Sequence, residues 1–275
     1  MSPQHFLRIV GAELRKTFTR GAGLFSLALA VVLPLGTFGV IHWLVGTSGA
    51  TMNGQSVSDM ITVSAAAVVL WSLTVRNFFF QPLALMFAAT ASVAGEYGDR
   101  TIREVLVRPV PRWGVLVPRV VAIATLSAVG LLITYVVSLG IGLPFFGLPS
   151  PPAVPAEYPD LLDLAGGYAA AWLADIGIIT ITMMVSVLIR SVGGSVVVFA
   201  LWQLLDFGFY WGMKGLAMLN VQQAITLQAF TLHAGLSVWQ GCESGYEWGA
   251  FATLGAYTAV ALGVLLTRFS RLDAP

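Results

Sequence analysis

The sequence predicts an all-α membrane protein with six transmembrane helices. Hydrophobic residues make up 57% of its 275 residues, and the mean hydropathy is +0.84, which is more apolar than an ordinary soluble domain. Apolar runs of about 20 residues recur, the length that a helix needs to cross a hydrocarbon core of roughly 30 Å. A transmembrane barrel would instead show alternating segments of about 10 residues.

Six segments have the length and composition of spans. They cover residues 24–45, 78–94, 117–143, 164–189, 195–211 and 248–267. Between the third and fourth lies a proline-rich stretch, 144–159, which we predict to be an extended loop because proline interrupts helices. Between the fourth and fifth, residues 190–194 contain two glycines and predict a tight turn.

The basic residues indicate how the chain is oriented. With six spans, most of them face one side, so both termini are predicted to be cytoplasmic in a multi-pass protein of the inner or plasma membrane. These residues are Arg8, Arg15, Lys16, Arg20, Arg100, Arg103, Arg108, Arg112, Arg119, Arg190, Arg268 and Arg271. The short apolar run 61–74 and the mixed run 216–239 are therefore interpreted as outer-leaflet pieces, interfacial or re-entrant, packed against the bundle.

The N-terminal residues 1–21 predict an amphipathic helix lying on the membrane. Phe6, Leu7, Val10, Leu14 and Phe18 fall on one side of a helical projection. The opposite side carries Arg8, Arg15, Lys16 and Arg20. The alternative is a basic flank that only sets the topology.

Composition and motifs exclude several classes of function. The net charge of +1 gives no sign of nucleic acid as a partner. A lone cysteine, Cys242, rules out an intrachain disulfide and a cysteine-rich metal site. No phosphate-binding Gly-x-x-x-x-Gly-Lys-Ser/Thr loop and no hydrolase motif occurs, so neither catalytic nor metal-binding residues are predicted.

The most informative stretch is a charged segment, residues 97–112, between the second and third spans. We predict that 101–107 forms a short amphipathic helix stopped by Pro109. Its apolar face is Ile102, Val105 and Leu106, and its charged residues are Arg100, Arg103, Glu104 and Arg108. Such a helix suits docking in the groove of a partner; the simpler alternative is a basic loop that sets topology.

This pattern resembles that of the ABC-2 type permeases, the membrane subunits of a class of ATP-binding-cassette exporters. Glu96 matches the family's Glu at the end of the second span, and Thr101 matches its Thr. Further matches are Val105, Leu106, Pro109, Val110 and Arg112, and Arg119 stands where a Lys is common. Two positions depart from the family, since Arg100 replaces a Gly and Pro111 replaces a Ser.

The resemblance implies one permease domain over residues 1–275, with a long outer segment, 212–246, before the last span. It implies pairing with a second permease copy or a homologous permease, and with separate nucleotide-binding subunits. ATP and Mg would be bound by those subunits, with no cofactor in this chain. Residues 97–112 would be the coupling helix that conveys ATP-driven movement, and the exported substrate would be amphipathic or hydrophobic: a drug, a peptide or a lipid.

Three charged residues lie within the predicted membrane region. Asp175 falls in the fourth span, Asp206 in the fifth, and Arg76 at the outer entrance to the second. Intramembrane charges are costly unless paired or hydrated, which makes them candidates for function. One interpretation is an ion pair between Arg76 and either Asp; others are a protonated, hydrogen-bonded Asp or a contact to substrate.

Two further hypotheses come from other classes. One is an ATP-independent membrane anchor or regulatory protein whose charged loop docks a partner. The other, the least supported, is an intramembrane enzyme using Asp175 and Asp206, which lie at different depths.

Overall fold

The computed structural model describes residues 2–46, 51–52, 55–56, 64–98, 111, 113–147, 161–218 and 247–270. Apart from one hairpin, Thr51–Met52 (β1) paired with Gln55–Ser56 (β2), the elements in these ranges are helical. They are α1 (Pro3–Thr19), α2 (Gly21–Gly46), α3 (Ala65–Val75), a π-helical turn (Arg76–Phe80), α4 (Gln81–Gly98), α5 (Trp113–Phe146), α6 (Leu161–Ile189), α7 (Val192–Met218) and α8 (Glu247–Ser270).

Several of these helices are long and apolar enough to cross a membrane. Within the described ranges there are five: Gly21–Trp43, Trp113–Phe146, Gly167–Ile189, Val192–Leu216 and Ala252–Phe269. A sixth is obtained if the bent pair Ala65–Phe78 and Gln81–Gly98 is counted as one span. The prediction of an α-helical protein with several apolar helices of spanning length is confirmed.

The helix α1 forms as predicted, but its predicted basic side does not face a single environment. Ser2 caps its start, accepting from the His5 amide, and the chain becomes extended at Arg20. Lys16 and Arg20 point toward the bundle, where they bind α4, whereas Arg8 and Arg15 are exposed. The four basic residues, predicted to share one side of the helix, are thus divided between the contact with α4 and the exposed surface.

In its described part, the segment 61–74 is helical and continuous with the predicted second span. From Ala65 it forms α3, which continues through the π-helical turn into α4, with a bend of 46° between the two arms. Ala65 through Val69 are buried, so this arm packs against the bundle, and the bent pair is either one broken span or a re-entrant piece followed by a span. The predicted start of the second span at residue 78 therefore falls inside the π-helical turn.

The predicted loop 144–159 is wrong at its beginning, since α5 continues through Pro144 to Phe146. Pro144 removes only one backbone hydrogen bond so close to the helix end. The helix is closed by Gly147, which has φ +67° and donates to the Leu143 carbonyl. Gly142 lies against Ala65, where a Cβ would come within 3.0 Å of the Ala65 Cα, so α5 and α3 approach closely.

The turn between α6 and α7 is shorter than predicted. Only Arg190 and Ser191 lie outside the helices, and Gly193 and Gly194 belong to α7. The reason is a cap, because the Ser191 side chain accepts from the Gly194 amide. At its other end α7 continues past residue 211 to Met218, so the predicted outer segment 212–246 begins as helix; its residues 219–246 lie outside the described residues.

The main core lies where α4, α5, α6, α7 and α8 meet. It contains Met86, Ile123, Ile178, Phe199 and Leu265, all buried. The helix α6 is central, because 67% of its most apolar 18-residue stretch is buried, compared with 17% for the corresponding stretch of α7. Gly177 allows this burial, because a Cβ there would lie 2.7 Å from Leu254 of α8. A helix so enclosed positions whatever polar groups it carries.

Candidate functional site

A buried ion pair joins the two helices that flank the charged segment. Glu96 lies in the last turn of α4 and Arg119 near the start of α5, with 8% and 2% of their side chains exposed. The Nη2 of Arg119 donates to both carboxylate oxygens, at 2.8 and 2.7 Å. Its Nη1 donates to the Ser92 carbonyl at 2.9 Å. Charge-assisted bonds of this kind are strong and directional.

The helix α1 adds two charges to this pair. Lys16 donates to Glu96 Oε1 at 3.1 Å, and Glu13 lies 3.8 Å from the Nε of Arg119. Close by, Arg20 donates to the Ala91 carbonyl at 3.3 Å. We name Glu13, Lys16, Glu96 and Arg119 the four-charge cluster. Two cations and two anions balance in it, which lowers the cost of burying each one.

Beside the four-charge cluster, the turn between α6 and α7 contacts α4. The Arg190 guanidinium lies 5.8 Å from the centre of the Tyr97 ring, within the range of a cation–π interaction. Arg190 has φ 56°, a left-handed conformation that is unfavourable for a residue other than glycine. The turn is therefore held in a strained conformation next to the end of α4, where the charged segment begins.

A second ion pair lies deep among the helices. Arg76, the first residue of the π-helical turn, donates through Nη2 to Asp175 Oδ2 of α6 at 2.6 Å, and neither side chain is exposed. Ser127 of α5 donates to the same carboxylate oxygen, and Asn77 accepts from Arg76 Nη1 at 2.7 Å. We name Arg76, Asn77, Ser127 and Asp175 the intramembrane cluster. It ties three helical segments together.

The intramembrane cluster is not fully saturated. In the part of the chain that the structure describes, Arg76 Nε and Asp175 Oδ1 make no hydrogen bond. π-helical turns are rare and occur often at functional sites. The position of Arg76 in such a turn therefore supports the intramembrane cluster as a candidate functional site. In the same described part, no group of three or more His, Cys, Asp or Glu residues is placed to hold a metal ion.

The structure places some of the sequence-predicted site residues and not others. Glu96 lies in the four-charge cluster. Of the two aspartates considered for Arg76, the structure pairs it with Asp175. Asp206 lies partly buried on α7. Most of the predicted coupling helix lies outside the described residues. This applies to Arg100, Thr101, Ile102, Arg103, Glu104, Val105, Leu106, Arg108, Pro109 and Arg112.

Sequence reasoning missed the partners. It did not assign Glu13 and Lys16 to Glu96 and Arg119, although their spacing of three places both on one side of a helix. Ser127, one of several hydroxyl residues in an apolar span, was a weaker signal for the intramembrane cluster.

These features define a multi-helix protein of membrane type, with charges buried at two levels of its helices. The chain belongs to the DUF2705 family, a family of proteins of unknown function whose model matches residues 56–274. No match to a curated protein was found.

Proposed function

We propose that this protein is the transmembrane permease subunit of an ABC transporter of the ABC-2 type. Separate nucleotide-binding subunits hydrolyse ATP with Mg, and the permease, paired with a second copy or a homologous permease, exports an amphipathic or hydrophobic compound. In this proposal the bent segment Ala65–Gly98 counts as one span, which gives six, and both termini and residues 97–112 lie in the cytoplasm. The membrane is the inner or plasma membrane, and its lipids contact α1.

The observation that carries this proposal is the four-charge cluster. Glu96 comes directly before the charged segment and Arg119 shortly after it, so the pair fastens the two helices from which the segment extends. Lys16 fastens α1 to the same point. A displacement of residues 97–112 would therefore move α1, α4 and α5 together, as a coupling element requires.

The sequence pattern adds support. Glu96 matches the family's Glu at the end of the second span, Arg119 stands where the family commonly has a Lys, and the two bind each other. The resemblance rests on residue types, whereas the contact between Glu96 and Arg119 is a feature of the fold. The charged segment has no phosphate-binding motif of its own, which is consistent with energy supplied by another subunit.

The proposal is tested by expressing the chain with an ATPase subunit encoded beside it. We expect the double variant Glu104→Arg/Arg108→Glu to lose co-purification and stimulation of ATP hydrolysis, because both charges are predicted to face the partner. The matched control is Arg268→Glu, an exposed charge on α8. Unchanged binding and stimulation in the double variant would contradict the coupling role. Binding that persists without any effect of ATP would favour the anchor hypothesis instead.

Orientation is tested separately. In a Cys242→Ser background, cysteines introduced at Ser48 and Arg103 should react with a membrane-impermeant thiol reagent from opposite sides of the membrane. Labelling of both from one side would rule out the six-span arrangement, whatever the partner is.

A further inference from the structure

An apolar pocket of about 350 Å³ opens between α5 and α6. Small side chains on both helices leave the space, namely Ala128, Ala165 and Ala169. It follows two turns of each helix, which is about 10 Å at 1.5 Å per residue. Pockets that bind small molecules have volumes of about 300–1,000 Å³ and mainly apolar linings.

Two of the three aromatic residues that line the pocket, Tyr168 and Trp172, use their hydrogen-bond donors within the protein. Tyr168 donates its hydroxyl to the Val69 carbonyl at 3.1 Å, and Trp172 donates its indole N–H to the Ala124 carbonyl at 2.8 Å. Tyr135 packs edge-to-face on Tyr168, with ring centres 5.1 Å apart. Since both named donors are already used within the protein, an occupant gains little from polar groups and much from apolar contact.

The mouth of the pocket is apolar as well. Leu132, 63% exposed, lines it, and Val136 and Leu173 are exposed at 57% and 50% on the same two helices. All three lie within helical stretches of spanning length, Trp113–Phe146 and Gly167–Ile189. With α5 and α6 in a bilayer, a pocket beside such exposed apolar residues would open toward hydrocarbon, which supplies chains and very little water.

We propose that this pocket binds one hydrocarbon chain of a bilayer phospholipid, which enters sideways between α5 and α6. The inner wall connects the pocket to the intramembrane cluster, because Ala128 follows Ser127 and Trp172 lies one helical turn before Asp175. A bound chain therefore packs against the same two helices that hold Asp175 and Ser127 together. This inference does not depend on the proposed transport function; it needs only that α5 and α6 lie in a membrane.

The test uses the full chain in lipid nanodiscs made with phosphatidylcholine that carries a diazirine midway along one acyl chain. After illumination, adducts are mapped by mass spectrometry of peptides. We expect stretches 128–135 and 165–172 to carry more adduct than the open apolar face of α7 around Leu205, which is 73% exposed. The α7 face contacts lipid without a pocket, so it measures the background of bulk lipid.

Variants that fill the pocket distinguish it from general lipid contact. Ala169→Phe should lower the pocket adducts about tenfold, which corresponds to about 1.4 kcal/mol of binding free energy. The control is Ala259→Phe, at an exposed alanine of α8. Should Ala169→Phe fail to fold, Leu132→Trp narrows the mouth at an exposed position without altering the interior.

Several results would overturn the proposal. Adducts spread evenly over α5, α6 and α7, or adducts unaffected by pocket-filling variants, would show bulk lipid only. An equal decrease in Ala259→Phe would show a general effect on the protein. Absence of adducts from 128–135 and 165–172, with disulfide cross-links between two copies carrying Ala169→Cys in a Cys242→Ser background, would show that a second chain occupies the pocket.

Discussion

The two buried ion pairs found in the described part of the chain differ in how many groups share the charge. In the intramembrane cluster Arg76 and Asp175 are entirely buried, and the remaining partners, Ser127 and Asn77, are uncharged. In the four-charge cluster Glu96 and Arg119 keep 8% and 2% exposure and have Lys16 and Glu13 as further charged neighbours. Removing Arg76 or Asp175 therefore leaves the other charge without its described charged partner. Removing Glu96 or Arg119 leaves the other with Lys16 or Glu13 nearby.

This difference fits two separate roles. A fully buried pair tolerates little change, so it holds α5, α6 and the π-helical turn in one arrangement. A shared cluster near the helix ends can redistribute its contacts when one helix moves, as a site under a docking segment must. We therefore expect the intramembrane cluster to dominate stability and the four-charge cluster to dominate communication with a partner.

The largest effect is expected for Asp175→Asn. This change leaves the Arg76 guanidinium buried without a counter-charge, which costs about 3–5 kcal/mol. Thermal unfolding and the monodisperse yield of the purified full chain measure the loss. The double variant Arg76→Met/Asp175→Leu should recover much of it, since neither position then carries a buried charge. A single variant as stable as the double variant would show that the pair is dispensable.

A smaller loss is expected for Glu96→Gln, about 1–3 kcal/mol. Arg119 retains the Ser92 carbonyl at 2.9 Å and Glu13 at 3.8 Å, so its charge is not stranded. The same unfolding assay, extended to a double-mutant cycle with Arg119→Gln, gives the coupling energy of the pair. If Glu96→Gln destabilises more than Asp175→Asn, the proposed ranking of the two clusters is wrong.

For Lys16→Met we expect a loss of at most about 1 kcal/mol, because the side chain is 33% exposed and surface ion pairs contribute little. The loss should shrink toward zero near 1 M salt, where the screening length falls to about 3 Å. Arg8→Met, an exposed change on the same helix, serves as the control. A salt-independent loss would indicate that packing of the lysine stem matters more than its charge.

The smallest change is expected for Arg190→Gly. Glycine relieves a left-handed strain of about 1–2 kcal/mol but removes a cation–π contact worth about 0.5–1 kcal/mol. The melting temperature should therefore change little, whereas Arg190→Val should lower it because a branched side chain disfavours positive φ. Equal melting temperatures for the Gly and Val variants would argue against strain at this turn.

The sequence predicts the helices well because hydropathy reports the length of apolar surface, and that length is what a spanning helix requires. Helix ends are governed by single caps. The Gly147 conformation extends α5 through Pro144, and the Ser191 side chain starts α7 at Val192. Neither is visible in an average over many residues, so the predicted loop 144–159 and the predicted turn 190–194 were too long.

Partner choice was the less predictable part of the site. A helical projection groups Lys16 with Arg8, but only the packing of α1 beside α4 shows that Lys16 binds Glu96. Likewise, the sequence offered Asp175 and Asp206 equally to Arg76. The π-helical turn, which no length rule anticipates, sets the direction of the Arg76 side chain and leads it to Asp175.

The π-helical turn at Arg76–Phe80 also fixes the rotational register between the two ion pairs. A π-helical turn contains one residue more than the α-helical turn it replaces, and each residue of an α-helix contributes about 100° of rotation. Deleting one residue from 76–80 would convert the turn to α-helix and rotate α4 relative to α3 by roughly that angle. Arg76 could then face Asp175, or Glu96 could face Arg119, but not both, so the extra residue keeps two distant contacts in phase.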